Sequence, residues 1–144
     1  MLNSEMSFNA ANINTIKVGM VASYTQIISD VDIRAFASLS GDNNPVHMSD
    51  EYASKSRYKK RIAHGLLSAS FFSSLFGTRL PGPGCVYISQ TLNFKRPVYI
   101  DSTVMATIEV ISVDKNKKRV KFSTVCKVKK KTVIDGVAEI FIPE

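Results

Sequence analysis

Residues 61–84 read RIAHGLLSASFFSSLFGTRLPGPG, and the reading of this stretch decides the fold. The spacing predicts a helix from about Gly65 to Phe76. Its apolar residues Leu66, Leu67, Ala69, Phe71, Phe72, Leu75 and Phe76 run nearly all the way round, with only small serines between them. A helix with no polar face has no side to turn to water, so it belongs in the interior. Pro81-Gly82-Pro83-Gly84 then marks one sharp turn.

Downstream of that turn the pattern changes to strands, at 86–94, 103–113, 119–128 and 132–142. In the third, Val120, Phe122, Thr124, Cys126 and Val128 share one face, while Arg119, Lys121, Ser123, Lys127 and Lys129 mostly share the other. Such alternation defines a half-buried strand. Turns at 114–118 and 129–131 are short enough to pair these strands antiparallel. Upstream, 21–27 is a first strand, and Ser29 or Asp30 can cap a helix carrying Ile33, Phe36, Ala37 and Ser40 on one side, which Gly41 ends. Ser49 can cap a short helix, and the basic stretch 55–61 is expected to be surface loop. One buried helix followed by antiparallel strands is an α+β arrangement in which the sheet wraps the helix.

A chain of 144 residues that is 44% apolar can bury one substantial core, so a single domain over 1–144 is expected, with 1–17 as a loosely ordered N-terminal extension. No run approaches the roughly 18 apolar residues of a membrane span, because 62–80 is broken by His64, four serines, Gly77 and Arg79. The N-terminus has no basic region followed by an apolar block, and a cytoplasmic location is the expectation. Cys85 and Cys126 are far apart and have no metal-ligand spacing, so both read as ordinary small near-core residues. The net charge of +7 is local, since nine Lys or Arg residues fall between Lys115 and Lys131. That cluster reads first as a solvated strand face and next as a contact for the phosphates of a nucleotide-like cofactor. Only Phe122 interleaves it, which argues against a nucleic-acid stacking platform.

The chemistry concentrates in Ser40-Gly41-Asp42-Asn43-Asn44-Pro45-Val46-His47. On an ideal helix, Asp42 and His47 would stand about 140° apart. Pro45 pushes Asn44 out of the helical region, so the segment is expected to be a loop that doubles back and brings both side chains to one point. A carboxylate and an imidazole so placed can share one water and do acid–base work near neutral pH. Asp42 could also be a turn residue and His47 a satisfied neighbour, and spacing alone does not separate the two readings. A second element tips the balance. Gly65 opens the interior helix, whose first amides lack partners along the helix, so a carbonyl oxygen brought close there meets N–H groups and the positive end of the dipole. His64 reads as mainly structural.

Three stretches together, FASLSGDNNPVH at 36–47, 61–84 as quoted, and VYISQTLNFKRPVYIDSTV at 86–104, resemble the MaoC-like hot-dog proteins and in particular the (R)-specific enoyl-CoA hydratases. The resemblance runs from about Val18 to the C-terminus. It implies a hot-dog fold, an antiparallel β-sheet wrapped around a long central helix. It also implies reversible syn hydration of trans-2-enoyl-CoA to (3R)-hydroxyacyl-CoA, with Asp42 and His47 as the catalytic pair. Gly65 would supply the oxyanion N–H, and Ser73 and Asn44 polar support in the site. Which of Asp42 and His47 is base and which acid stays open. No metal or redox cofactor is implied, coenzyme A being part of the acyl-CoA thioester substrate. A homodimer joined through the sheets is implied, with no nucleic-acid or membrane partner. Leu66, Ser70, Phe71 and Leu75 are candidates for the acyl tunnel. Two alternatives remain, a (3R)-hydroxyacyl-acyl-carrier-protein dehydratase and a non-catalytic module that binds acyl groups or nucleic acid.

Overall fold

The computed structural model describes residues 11–143. Five elements precede the turn at 81–84: strand β1 (Val21–Ile27) and helices α1 (Asp30–Ser40), α2 (Pro45–Met48), α3 (Asp50–Ser54) and α4 (Gly65–Thr78). Five strands follow it: β2 (Val86–Gln90), β3 (Asn93–Phe94), β4 (Thr103–Asp114), β5 (Arg119–Val128) and β6 (Lys131–Phe141). They form one antiparallel sheet in the order β1-β4-β5-β6-β2, with β3 also on β6. The sheet curls around α4, the hot-dog arrangement.

Alternation in the strands sets which face meets the helix. Val104, Ala106, Ile108 and Val110 of β4 are buried, as are Val120, Phe122, Thr124 and Cys126 of β5. Against them lie Leu67, Phe72, Leu75 and Phe76 of α4, with the Phe76 and Phe122 rings edge to face at 4.8 Å. Each of the Val, Leu, Ile and Phe side chains among them contributes about 1.5–3 kcal/mol by leaving water. This is why a helix with almost no amphipathic character is stable here.

Sequence expectations hold for β1, for the Ser29 cap and for the Gly41 stop. Ser29 and Asp32 form a reciprocal capping box, and Gly41 takes φ 79° while donating its N–H to the Ala37 carbonyl. Four expectations are corrected. The segment read as one strand over 86–94 is two, because the Thr91 carbonyl turns inward against Gly136, where a Cβ would lie 1.8 Å from that oxygen. The Thr91 hydroxyl then accepts the Val137 N–H in its place. The loop expected through His47 contains a helical turn, α2, which Pro45 opens at N1 and Asn44 caps by accepting from the Val46 N–H. Arg61, expected on a surface loop, is buried at 4% exposure because its guanidinium has partners inside. Of the expected N-terminal extension, 1–10 lie outside the described residues, while Ile13 and Ile16 join the core. Among the described residues, no helix is long and apolar enough to cross a membrane.

Candidate active site

The Asp42 and His47 side chains sit where the α1–α2 connection folds back over the start of α4. Gly41 reverses the chain out of α1, and Asp42 then starts an Asx turn in which its Oδ1 accepts the Asn44 N–H at 3.2 Å. The α2 turn swings His47 inward until it is 8% exposed, while Asp42 stays open to solvent. A carboxylate oxygen of Asp42 and one ring nitrogen each of His47 and His64 all lie within 4.8 Å of one another. Hydrogen bonds to water are about 2.8 Å long, so one water can bridge Asp42 and His47. The sequence reading brought these two groups together, and the structure does so.

The orientation of His47 follows from its partner. Its Nδ1 lies 2.7 Å from the Ile62 carbonyl, which can only accept, so Nδ1 carries the proton and Nε2 keeps a lone pair. Burial lowers the pKa of the ring below that of a free histidine, and the neighbouring His64 pushes the same way. The Ile62 bond and the Asp42 charge oppose them in part. The neutral imidazole is therefore the resting form at neutral pH.

Two residues that sequence reasoning did not place in the site hold it together. His64 donates from Nε2 to the main-chain carbonyl of Asp42 at 2.9 Å, and its ring is stacked 4.0 Å from that of His47. Among the described residues, its Nδ1 is buried without a partner. Arg61 donates from Nε to the His47 carbonyl at 2.7 Å and from Nη2 to Asp30 Oδ1 at 2.6 Å, tying the α2 turn to the start of α1. Position next to Gly65 was a signal for His64. For Arg61 there was none, since its neighbours Lys59 and Lys60 are exposed.

Gly65 begins α4 with no side-chain cap on the helix, so its first amides are left for another acceptor. The Phe94 ring leans over it, and a Cβ there would lie 2.5 Å from Phe94 Cε1. Asn44 spends Oδ1 on capping α2, so its support for the site is through the turn. Ser73 is not brought to the pair. It stands eight residues along α4 from Gly65, about 12 Å away along the axis, in a cleft of about 400 Å³ between α4 and β2 that Leu66, Ser70 and Tyr87 also line. Phe71 and Leu75, expected near the acyl tunnel, are core residues. Both cysteine thiols are pushed up by burial, that of Cys126 to about 12, and neither adjoins the pair.

Asp42, His47 and His64 are also the residues whose donor atoms could hold a divalent ion. Two ring nitrogens of that set are committed to main-chain carbonyls, Nδ1 of His47 and Nε2 of His64, which leaves one nitrogen on each ring.

A hot-dog sheet around a buried helix, with an Asp/His pair beside the helix tip, defines a class that comparison with known proteins makes specific. The family model described as MaoC like domain matches residues 11–136. The chain belongs to this family. It is 50% identical over 128 residues to an (R)-specific enoyl-CoA hydratase of Rhodospirillum rubrum, covering 89% of each chain. It is 41% identical over 129 residues to a 3-hydroxybutyryl-CoA dehydratase of Methylorubrum extorquens, covering 90% of this chain and 82% of that one. Among solved structures, an R-hydratase of Pseudomonas aeruginosa superimposes with a TM-score of 0.88 at 42% identity, covering 92% of this chain and 86% of the other.

Proposed function

We infer that this protein is an (R)-specific enoyl-CoA hydratase, a hydro-lyase that reversibly adds water to trans-2-enoyl-CoA. The observation that carries the reading is the convergence of the Asp42 carboxylate and the His47 imidazole within bridging distance of one water, beside the uncapped start of α4.

In this reading, the bridging water gives one hydrogen bond to Asp42 and the other to Nε2 of His47. Its oxygen bonds to the β-carbon of the enoyl thioester while its proton passes to Nε2. The π electrons move toward the thioester carbonyl, whose oxygen takes the negative charge at the amides that open α4. Nε2 then returns the proton to the α-carbon on the same face, giving syn addition and a (3R)-hydroxyacyl-CoA. Acid–base chemistry carries every step, and coenzyme A enters as part of the substrate. The acyl chain lies in the cleft between α4 and β2, which begins at Leu66, one residue beyond Gly65, and reaches Ser73. Val86, Tyr87 and Ile88 expose apolar side chains on the edge strand β2. An edge of that kind supports pairing with a second copy.

The test follows loss of conjugated-thioester absorbance with crotonyl-CoA, together with the handedness of the product. Wild type should yield the (R) alcohol, and Asp42→Asn and His47→Ala should each lower kcat by about 10²- to 10⁴-fold. An (S) product, or variants as fast as wild type, would overturn the reading.

A further inference from the structure

The sequence contains two histidines, and the fold brings both to one place. A carboxylate oxygen of Asp42 and one ring nitrogen each of His47 and His64 lie within 4.8 Å of one another. Among the described residues, no other three Asp, Glu, His or Cys side chains converge in this way. The proposed reaction uses Asp42 and His47, and it leaves the His64 ring with a nitrogen to spare.

The main chain prepares both rings as ligands. A histidine that binds a metal ion through one nitrogen commonly donates the N–H of the other to a carbonyl or carboxylate, which fixes the tautomer and the ring. His47 does so from Nδ1 to the Ile62 carbonyl at 2.7 Å, and His64 from Nε2 to the Asp42 carbonyl at 2.9 Å. Each ring therefore keeps one lone pair, on Nε2 of His47 and on Nδ1 of His64. Both rings are buried, and they stack 4.0 Å apart with 32° between their planes, which holds them together. Among the described residues, His64 Nδ1 meets no donor, and a buried acceptor left in that condition costs free energy. A cation coordinated by that nitrogen would remove the cost.

Zinc lies about 2.0–2.2 Å from a ligating nitrogen or carboxylate oxygen, which sets its tetrahedral ligand atoms about 3.3–3.6 Å apart. Closing the set thus takes roughly 1.5 Å of movement or less. Asp42 can supply it. The residue is exposed, and among the described residues its carboxylate accepts one bond, from the Asn44 N–H at 3.2 Å. Two imidazoles and one carboxylate suit zinc and similar ions, whereas magnesium keeps its waters and prefers oxygen. Three protein ligands leave the fourth position of the tetrahedron to solvent.

We propose that Asp42, His47 and His64 form a reversible, inhibitory site for zinc or a similar divalent cation. The proposal rests on the hydratase reading above, because the ion and the reacting water need the same electrons. A cation on Nε2 of His47 occupies the lone pair that takes the proton from water. Its second ligand is the Asp42 oxygen that accepts the water's other hydrogen bond. Hydration stops while the ion is bound and resumes when it leaves. His64 takes no part in the proton transfers, and it is the residue that turns a two-ligand pair into a three-ligand site.

Co²⁺ is the probe, since tetrahedral Co²⁺ absorbs visible light far more strongly than the hydrated ion, a readout independent of turnover. Untagged protein is freed of metal with EDTA, desalted and titrated. Wild type should take up one equivalent with a tetrahedral spectrum, and Zn²⁺ should displace it. Asp42→Asn, at an exposed position that leaves the core undisturbed, and His64→Gln should each weaken binding at least about tenfold. Loss of a ligand costs no less than the roughly 10- to 100-fold lost with a ligand's own hydrogen-bond partner. With crotonyl-CoA, Zn²⁺ should slow wild type with the midpoint at which it binds, EDTA should restore the rate, and Mg²⁺ should leave it unchanged. No binding, or binding as tight in either variant as in wild type, overturns the proposal. So does binding that leaves the rate unchanged or raises it, or inhibition by Mg²⁺ equal to that by Zn²⁺. A wild type that binds one equivalent through these residues but hydrates no thioester overturns the hydratase reading and leaves the cation site standing.

Discussion

His47 donates its Nδ1 proton to the Ile62 carbonyl at 2.7 Å, which leaves the lone pair on the opposite nitrogen, and a ring nitrogen of His47 lies within 4.8 Å of an Asp42 carboxylate oxygen. Burial holds this ring below the ordinary histidine pKa of 6.5. The folded state therefore favours neutral His47, and the unfolded chain binds more protons in the window below 6.5. The contribution to stability is complete above 6.5 and is lost as pH falls from there through the lower folded value. Hydration rate should share that acid limb. A kcat/KM profile with crotonyl-CoA checks it, and a midpoint above 6.5 would contradict the lowering of this ring by burial. Urea midpoints of wild type and His47→Gln should differ in their pH dependence below 6.5, the variant's being flatter.

In the proposed mechanism His64 acts through Asp42 and His47, as a positioning residue. His64→Ala removes the donor to the Asp42 carbonyl and the ring against which His47 stacks. A displacement of that order should lower kcat roughly 10²-fold with little change in KM. His64→Gln, which restores an N–H donor, should recover part of the loss. If both variants lower only stability, the positioning role is refuted.

Arg61 bonds the His47 carbonyl and Asp30 at once, a two-pronged geometry that an ammonium cannot reproduce. Arg61→Ala should cost roughly 2–4 kcal/mol, since it leaves a buried carbonyl unpaired and Asp30, half exposed, without one of its two cations. Arg61→Lys should recover less than half of that. Urea denaturation of the three proteins gives the comparison.

Two glycines should respond oppositely to the same change. Gly136→Ala sets a methyl 1.8 Å from the Thr91 carbonyl oxygen, so backbone must move, at a cost of about 2 kcal/mol or more. Gly77→Ala, within α4 and with nothing within 4 Å of the new Cβ, should stabilise by about 0.5–1 kcal/mol. Thermal unfolding distinguishes them, and equal effects would refute the pinch at Thr91.

Local rules made α4, β1, the Ser29 cap, the Gly41 stop and the Ser49 cap readable from the chain alone, because each depends on residues within a turn or two. The meeting of Asp42 with His47 was readable for the same reason, with Pro45 between them. The break between β2 and β3 was not, since Gly136 lies far along the chain from Thr91 and nothing near Thr91 announces it. Arg61 was hidden for a related reason. Its burial depends on Asp30, 31 residues and three helices back in sequence, and on a carbonyl, which has no letter of its own. The distance of Ser73 from the pair is a matter of how far a rigid helix extends, which a matching motif does not convey.

Three main-chain oxygens, those of Ile62, Asp42 and His47, receive the bonds that aim the reacting groups. Oxygens of this kind are common to every amino acid and cannot be deleted by a point mutation. The side chain of Ile62 is buried and answers to packing, while its carbonyl sets the tautomer whatever that side chain is. If the proposed reaction holds, the walls around the cleft can change without disturbing the main-chain bonds that orient Asp42 and His47.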